Sequence, residues 1–271
     1  MAFVLVDAAN AATAPDLGAA EPFGVASSTF TNSNTAPQTI INGDVCYTTP
    51  PTTFPLTING TITTPCAPAV GVAQGQALAN LLGQACTSLG PGDIALDAVV
   101  IGANPPGVFP PGCYSSGGAM NVTLSTTVTL SGGGVYIFRP GGALNTGDNS
   151  TVLLENNACA SNVFWAPVGA TTLGANAALS LTPTFVGNII DAAGITIGHF
   201  AHLSGRALAF GGTVTTDANT ISVPTCAAIG PPLAVPALAA WAMMLLAALM
   251  AAGGFVAIGR RRRQAWHRGA P

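Results

Sequence analysis

The chain has 271 residues, only 6% of them charged, with seven Lys+Arg against ten Asp+Glu; an average soluble domain carries about 25%. Low charge beside 49% hydrophobic residues excludes a disordered chain, and the complete lack of lysine excludes the basic face of a nucleic-acid binder. With Gly 33, Pro 21 and 6% aromatics, a helical bundle or polytopic membrane protein is disfavoured, which leaves a mostly β protein rich in Gly, Thr, Ala and Val.

Residues 1–14, MAFVLVDAANAATA, combine a short apolar run with Ala-x-Ala-like endings. They lack a positive leading region and Asp7 interrupts the run, so they read as the remnant of a signal peptide or as an ordinary frayed N-terminus. A body follows over residues 15–226. Its first β-stretches are Phe23–Ala26, Ser28–Thr31 and Gln38–Val45. Six cysteines, an even count, suit an exported body and allow fifteen pairings; local nesting suggests 46–66, 86–113 and 159–226. No CxxC or Cys/His cluster has metal-ligand spacing, so no metal is expected. The convincing helical stretch spans residues 69–89, with Val72, Leu78, Leu81, Leu82 and Ala85 as its apolar stripe. Gly71, Gly75 and Gly83 lower its propensity, so it needs a surface to lie on.

From residue 135 onward four segments repeat, starting at Val135, Asn162, Gly187 and Gly205, at roughly the spacing of solenoid coils. Each holds three short β-stretches with Gly, Asn or Asp at the corners, where a positive φ is needed. Three strands per coil imply a triangular β-solenoid. Alternation assigns the faces. In the second strand Leu144, Ile195, Ile197 and Val214 point in, while Asn145, Thr172, Thr196 and Thr215 point out. In the third, Val152, Phe185, Leu203 and Ile221 point in, while Thr151, Thr184, His202 and Thr220 point out. On this reading His202 interrupts one outer column and Asn145 ends the other. The first strand is apolar on both sides, as expected of a face covered by the helix. The N-terminal coil would stack beside a coil from the end of the body, so the solenoid is discontinuous in sequence.

Residues 227–234 read as a linker and 235–271 as a tail. Two arginines against ten acids leave residues 1–230 at −8; Arg260, Arg261, Arg262, Arg263 and Arg268 leave the tail at +5. Val235–Ile258 is uncharged and long enough for a transmembrane helix, which takes about 20 residues. The arginines behind it would stay cytoplasmic and place the body outside; the alternative is a buried core helix. The tail resembles a bacterial sorting signal, the one that opens Ile-Pro-Thr-Leu, with Pro236, Leu238 and Trp241 at matching positions and Ala237 and Ala240 departing from it. That resemblance implies a temporary membrane anchor, a sorting peptidase as partner, and a body carried to the cell envelope or surface, or released when the tail is removed.

Catalytic constellations are missing from the sequence. No GxSxG links a strand to a helix, and Ser131–Gly134 has no phosphate-loop pattern. His199 and His202 are three apart and face different ways. Asp93 and Asp97 lack a third partner, while Asp44, Asp148, Asp191 and Asp217 sit at presumed corners. The outward threonines form a grid of methyls and hydroxyls, about 4.8 Å apart between coils and about 6.7 Å along a strand, nearly free of charge.

Residues 17–226 resemble the microbial ice-binding protein family. The matching pieces are Leu17–Val25, Thr39–Asp44, Pro111–Tyr114, Val135–Phe138, Cys159–Trp165, Gly187–Ile190, Gly205–Ala209 and Asn219–Ser222. The resemblance implies a discontinuous right-handed β-solenoid with one helix alongside. It implies an ice crystal surface as partner, with antifreeze or recrystallisation-inhibiting action, and neither catalytic residues nor a cofactor. Two columns are candidates for the contact: Thr31, Asn145, Thr172, Thr196 and Thr215 first, and Thr151, Thr184 and Thr220 second. The alternative function is a structural or adhesive cell-surface solenoid.

Overall fold

Short alternating runs separated by tight corners dictate a chain that turns every few residues and pairs with its own next turn. A computed structural model describes residues 12–33, 36–51 and 56–226 and takes this form. The strands stack in parallel into three ladders, joined by corners and enclosing one core. The chain divides into residues 1–226 and 227–271. Residues 1–11 of the leader remnant expected over 1–14, the linker, the apolar segment 235–258 and the arginine cluster lie outside the described residues. Among those described, no helix is long and apolar enough to cross a membrane.

The first ladder runs through Thr87–Gly90, Gly112–Ser116, Tyr136–Pro140, Val163–Trp165, Phe185–Ile190 and the middle of His202–Thr216. It then crosses to the N-terminal strand Phe23–Asn32, and ends on Asp44–Cys46 and Ile62–Thr63. The discontinuity is therefore real: Val25 pairs with Ala207, and Thr220–Ser222 lies between His202–Ser204 and Thr39–Asn42. Coils also precede residue 135, built on Thr87–Gly90 and Gly112–Ser116. The repeat signal misses them because two of their strands, Ile94–Ala95 and Val108–Phe109, are only two residues long and Pro91, Pro105, Pro106, Pro110 and Pro111 crowd their corners.

Inside, the inward residues expected from alternation, Leu144, Ile195, Ile197, Val214, Val152, Phe185, Leu203 and Ile221, are all buried. In-register aromatics stack along the coils, Tyr114 on Phe138 at 5.4 Å and Phe138 on Trp165 at 4.3 Å, and Phe185, outside that register, tilts against Trp165 at 5.1 Å. The Trp165 indole N–H donates to the Val186 carbonyl at 2.9 Å, so burial leaves it satisfied.

The helix is Pro68–Gly83, shorter than the expected 69–89. Gln84 is extended, and the segment after it becomes the strand Thr87–Gly90. Pro68 opens the helix, where its missing N–H costs nothing. The buried stripe is Val70, Ala73, Gln74, Ala77 and Leu81; Val72 and Leu82 face solvent. The larger aliphatics suggested a different stripe, but small residues let the helix approach the first ladder, where it meets Ala26, Phe164, Ile190 and Leu208. A Cβ added at Gly71 would clash with the Phe210 ring, so that glycine is a packing contact. Two disulfides clamp the helix at both ends, Cys46–Cys66 before it and Cys86–Cys113 after it, and Cys159–Cys226 ties down the end of the body. These are the pairings that nesting suggested.

Both arginines of the body serve the first ladder. Arg206 is buried; it donates from Nε to the Glu21 carbonyl at 2.7 Å and from Nη1 to Asn188 Oδ1 at 2.8 Å. Arg139 donates to the Gln84 carbonyl at 2.7 Å, just past the helix.

Candidate functional site

A parallel ladder brings outward residues of successive coils side by side, so register decides which threonines become neighbours. In the second ladder the pairings run Ala95–Asn121–Asn145–Thr172–Thr196–Thr215–Thr31. All five first-choice residues thus share one column. Asn145 does not end it: Asn121 and Ala95 carry it on through the coils that the repeat signal missed. Thr172 and Thr196 are exposed, and Thr215 and Thr31 partly so. Inward neighbours on both sides of Thr172 and Thr196 are buried, which turns each threonine outward. Thr31 and Thr215 lie 184 residues apart, yet their hydroxyls meet at 2.7 Å, and Asn145 Nδ2 donates to Asn121 Oδ1 at 3.0 Å.

Two residues earlier in each strand runs a second column. Met120, Leu144 and Thr171 donate their N–H to the carbonyls of Ala143, Ala170 and Gly194 at 3.0, 3.3 and 2.9 Å, which aligns these small residues. The column continues to Thr213, Thr29 and, through an isolated bridge, Thr49. Sequence reasoning passed over Thr213 and Thr29, although each stands two residues before a chosen threonine and alternation puts it on the same side.

Charge is kept to the corners that bound this surface. Asp93 Oδ1 accepts the Ala119 N–H and Asp148 Oδ1 the Ala175 N–H, both at 2.8 Å. Burial pushes the Asp97 carboxyl up, but bonds from the Thr123 hydroxyl (2.6 Å) and N–H (2.9 Å) outweigh it and hold the group below its usual range. Asp191 is fully buried where the chain enters the second ladder. It accepts the Thr171 hydroxyl and the Ala193 N–H, each at 2.7 Å, and burial raises its pKa. His199 Nδ1 and Asp217 Oδ1 pair at 3.1 Å beyond the far edge. At the corner after Leu144–Thr146, Asn149 takes a φ of 54° and accepts the Ala177 N–H.

The second-choice column is built differently. Thr151 aligns with Thr127, and the Val152 N–H bonds the Thr184 carbonyl at 2.9 Å. His202 and Thr220 pair next, followed by Ile40 and Thr57. His202, expected to face outward, is buried because residues 175–183 fold over it and the Ser180 carbonyl sits 3.1 Å from its ring nitrogen. Leu153 and Leu181 are exposed on this side, Leu181 at 95%. Among the described residues no group of three or more His, Cys, Asp or Glu could hold a metal ion, and Trp165 and Tyr136 are wholly buried.

Comparison with known proteins now bears on this geometry. A family model described as Ice-binding-like matches residues 25–222, and one described as the IPTL-CTERM motif matches residues 234–263. An ice-binding protein of Nostoc sp. (strain HG1) is 32% identical over 225 residues, 79% of this chain and 76% of that protein. An ice-binding protein of Flavobacterium frigoris (strain PS1) is 33% identical over 136 residues, 50% of this chain and 46% of that protein, so the match spans less than half of that relative. The crystal structure of an ice binding protein from an Antarctic biological consortium superposes with a TM-score of 0.67 at 26% identity, covering 82% of this chain and 97% of the other. Parallel ladders joined across the two ends of the body, one helix on the first ladder and a family match over most of the chain lead to one conclusion: the chain belongs to the ice-binding-like family and carries an IPTL-type sorting motif behind its body.

Proposed function

We propose that this protein adsorbs to ice through the outer surface of the second ladder, and that Thr172, Thr196, Thr215 and Thr31, with Asn145, make the contact. The observation that carries the reading is the unbroken register of these residues across coils from both ends of the body. Each threonine presents a methyl and a hydroxyl, repeated about every 4.8 Å along the column. Methyls favour loss of loosely held water, hydroxyls hold water at fixed positions, and a stiff scaffold has little freedom left to lose on adsorption. A charged side chain would orient water toward itself, and the corners keep the carboxylates off the column. The family match and the relatives named as ice-binding proteins support the same reading. Such adsorption needs neither catalysis nor a cofactor.

The finer architecture follows the same proposal. The coil winds right-handed with a triangular section, as parallel crossovers nearly always do. Residues 1–14 are a leader remnant, 15–226 the ice-binding body, 227–234 a linker and 235–271 a sorting tail. In that tail Val235–Ile258 spans the membrane, and Pro236, Leu238, Trp241 and Arg260–Arg263 address a sorting peptidase. The motif match supports an exported, surface-associated protein. It also favours a second use of the same face, adhesion of the cell to ice.

The test is ice recrystallisation inhibition by the purified chain beside a Thr196→Tyr/Thr215→Tyr variant. The parent should keep crystals small and the variant should not, with equal thermal unfolding. A folded parent without effect overturns the function; a variant as active as its parent overturns the choice of surface.

A further inference from the structure

We infer that the described residues of the excursion between Cys46 and Cys66, 47–51 and 56–65, form a disulfide-clipped rung that enlarges the adsorbing surface, with Thr49 as a contact residue beside Thr29 and Thr213; the inference rests on the proposed function of the second ladder. The excursion is built as part of the solenoid. Leu56–Ile58 pairs with Thr39–Asn42 in the third ladder, and Ile62–Thr63 pairs with Asp44–Cys46 in the first. In the second ladder Thr49 pairs with Thr29: the Phe30 N–H donates to the Thr49 carbonyl at 3.0 Å, and the Thr49 N–H donates to the Ser28 carbonyl at 2.8 Å. So the excursion contributes to all three ladders.

Covering the open end of the core explains part of this rung. Tyr47, Leu56 and Ile58 pack against the core, and the Tyr47 ring lies 5.9 Å from that of Phe30. End covering does not require a threonine at position 49. Thr49 is exposed and extends the Thr213–Thr29 pair by one residue. That column runs beside Thr196–Thr215–Thr31, so the two together form a two-dimensional patch at this end of the ladder. Strand pairing in all three ladders and the Cys46–Cys66 bond across 20 residues hold Thr49 in place before adsorption, so little order has to be gained on contact.

The experiment measures thermal hysteresis and thermal unfolding of the full chain in four forms: unaltered, Thr49→Tyr, Cys46→Ser/Cys66→Ser, and Thr196→Tyr/Thr215→Tyr. The expected result is that Thr49→Tyr lowers hysteresis about twofold, because contact area is lost at one rung only, with unchanged unfolding. The serine pair should lower it similarly at temperatures where the body stays folded, and Thr196→Tyr/Thr215→Tyr should abolish it. If Thr49→Tyr equals the unaltered chain while Thr196→Tyr/Thr215→Tyr is inactive, the rung is an end cover only; the inference falls and the proposed surface stands. An unaltered chain that is folded and without hysteresis overturns the proposed function and this inference together.

Discussion

The outer surfaces of the second and third ladders carry the same residue type at the same parity, yet only one forms an open array. On the second, Thr172, Thr196, Thr215 and Thr31 neighbour one another, with alanine, glycine and more threonine alongside. On the third, the threonines are separated by a buried His202 under residues 175–183 and flanked by exposed leucines. The difference teaches that threonine in a strand says little by itself, since threonine is a good strand residue anywhere. What distinguishes a surface is whether its neighbours are small, uncharged and uncovered.

The comparison breaks most decisively by bulk. Thr151→Tyr/Thr220→Tyr should leave recrystallisation inhibition intact, against the complete loss expected for Thr196→Tyr/Thr215→Tyr, with both pairs within about 0.5 kcal/mol of the parent in stability. Equal losses from the two pairs would mean that both surfaces meet ice. A sharper test works from inside. Ile195→Ala behind the second ladder should cost about 2–5 kcal/mol, and Phe185→Ala behind the third about 3–5 kcal/mol, measured by denaturant unfolding. At temperatures where both variants stay folded, only Ile195→Ala should lower ice activity, because it loosens the support beneath Thr196.

Smaller effects test the separation of the first ladder from the other two. Gly75 is exposed on the helix with nothing within 4 Å of an added Cβ, so Gly75→Ala should gain about 0.5–1 kcal/mol and leave ice activity unchanged. Gly71→Ala should lose stability against the Phe210 ring. The mildest effect is expected at Asp191, whose proton is held to higher pH in the fold than in the unfolded chain. Its contribution to stability is greatest below the unfolded carboxyl pKa near 4 and falls as pH rises through the raised folded value. Asp191→Asn should therefore flatten that fall, so that its melting temperature relative to the parent improves from acidic to neutral pH. An unchanged difference would mean that the fold holds the Asp191 proton no more tightly than the unfolded chain does.

Much of this was legible from local pattern. The period of two sorted Thr196 from Ile195 and Thr151 from Val152 without knowledge of the fold, and nesting of cysteines identified the three pairs. The helix was legible as a helix, but its buried stripe was not: Ala73 and Ala77 are chosen by how closely the first ladder approaches, and Val72 by nothing more than solvent. The coils of residues 87–131 do not stand out as repeats because two of their strands, Ile94–Ala95 and Val108–Phe109, shrink to two residues. Asn121 and Ala95 were therefore missing from the column. Burial of His202 depends on where residues 175–183 fold back, which no alternation reports.

The sequence by itself determined which side chains of a strand share a side, where charge is allowed, and that the body is a coil with an uncharged segment and an arginine cluster behind it. Those are consequences of backbone pleating and composition, both local. Only the tertiary structure decided that Thr31 meets Thr215 across 184 residues and that Thr49 extends the row. It also decided that one of two similar columns lies open. Register between distant segments is set by the summed packing of the core they enclose, and that sum exists only once the coils have closed on one another.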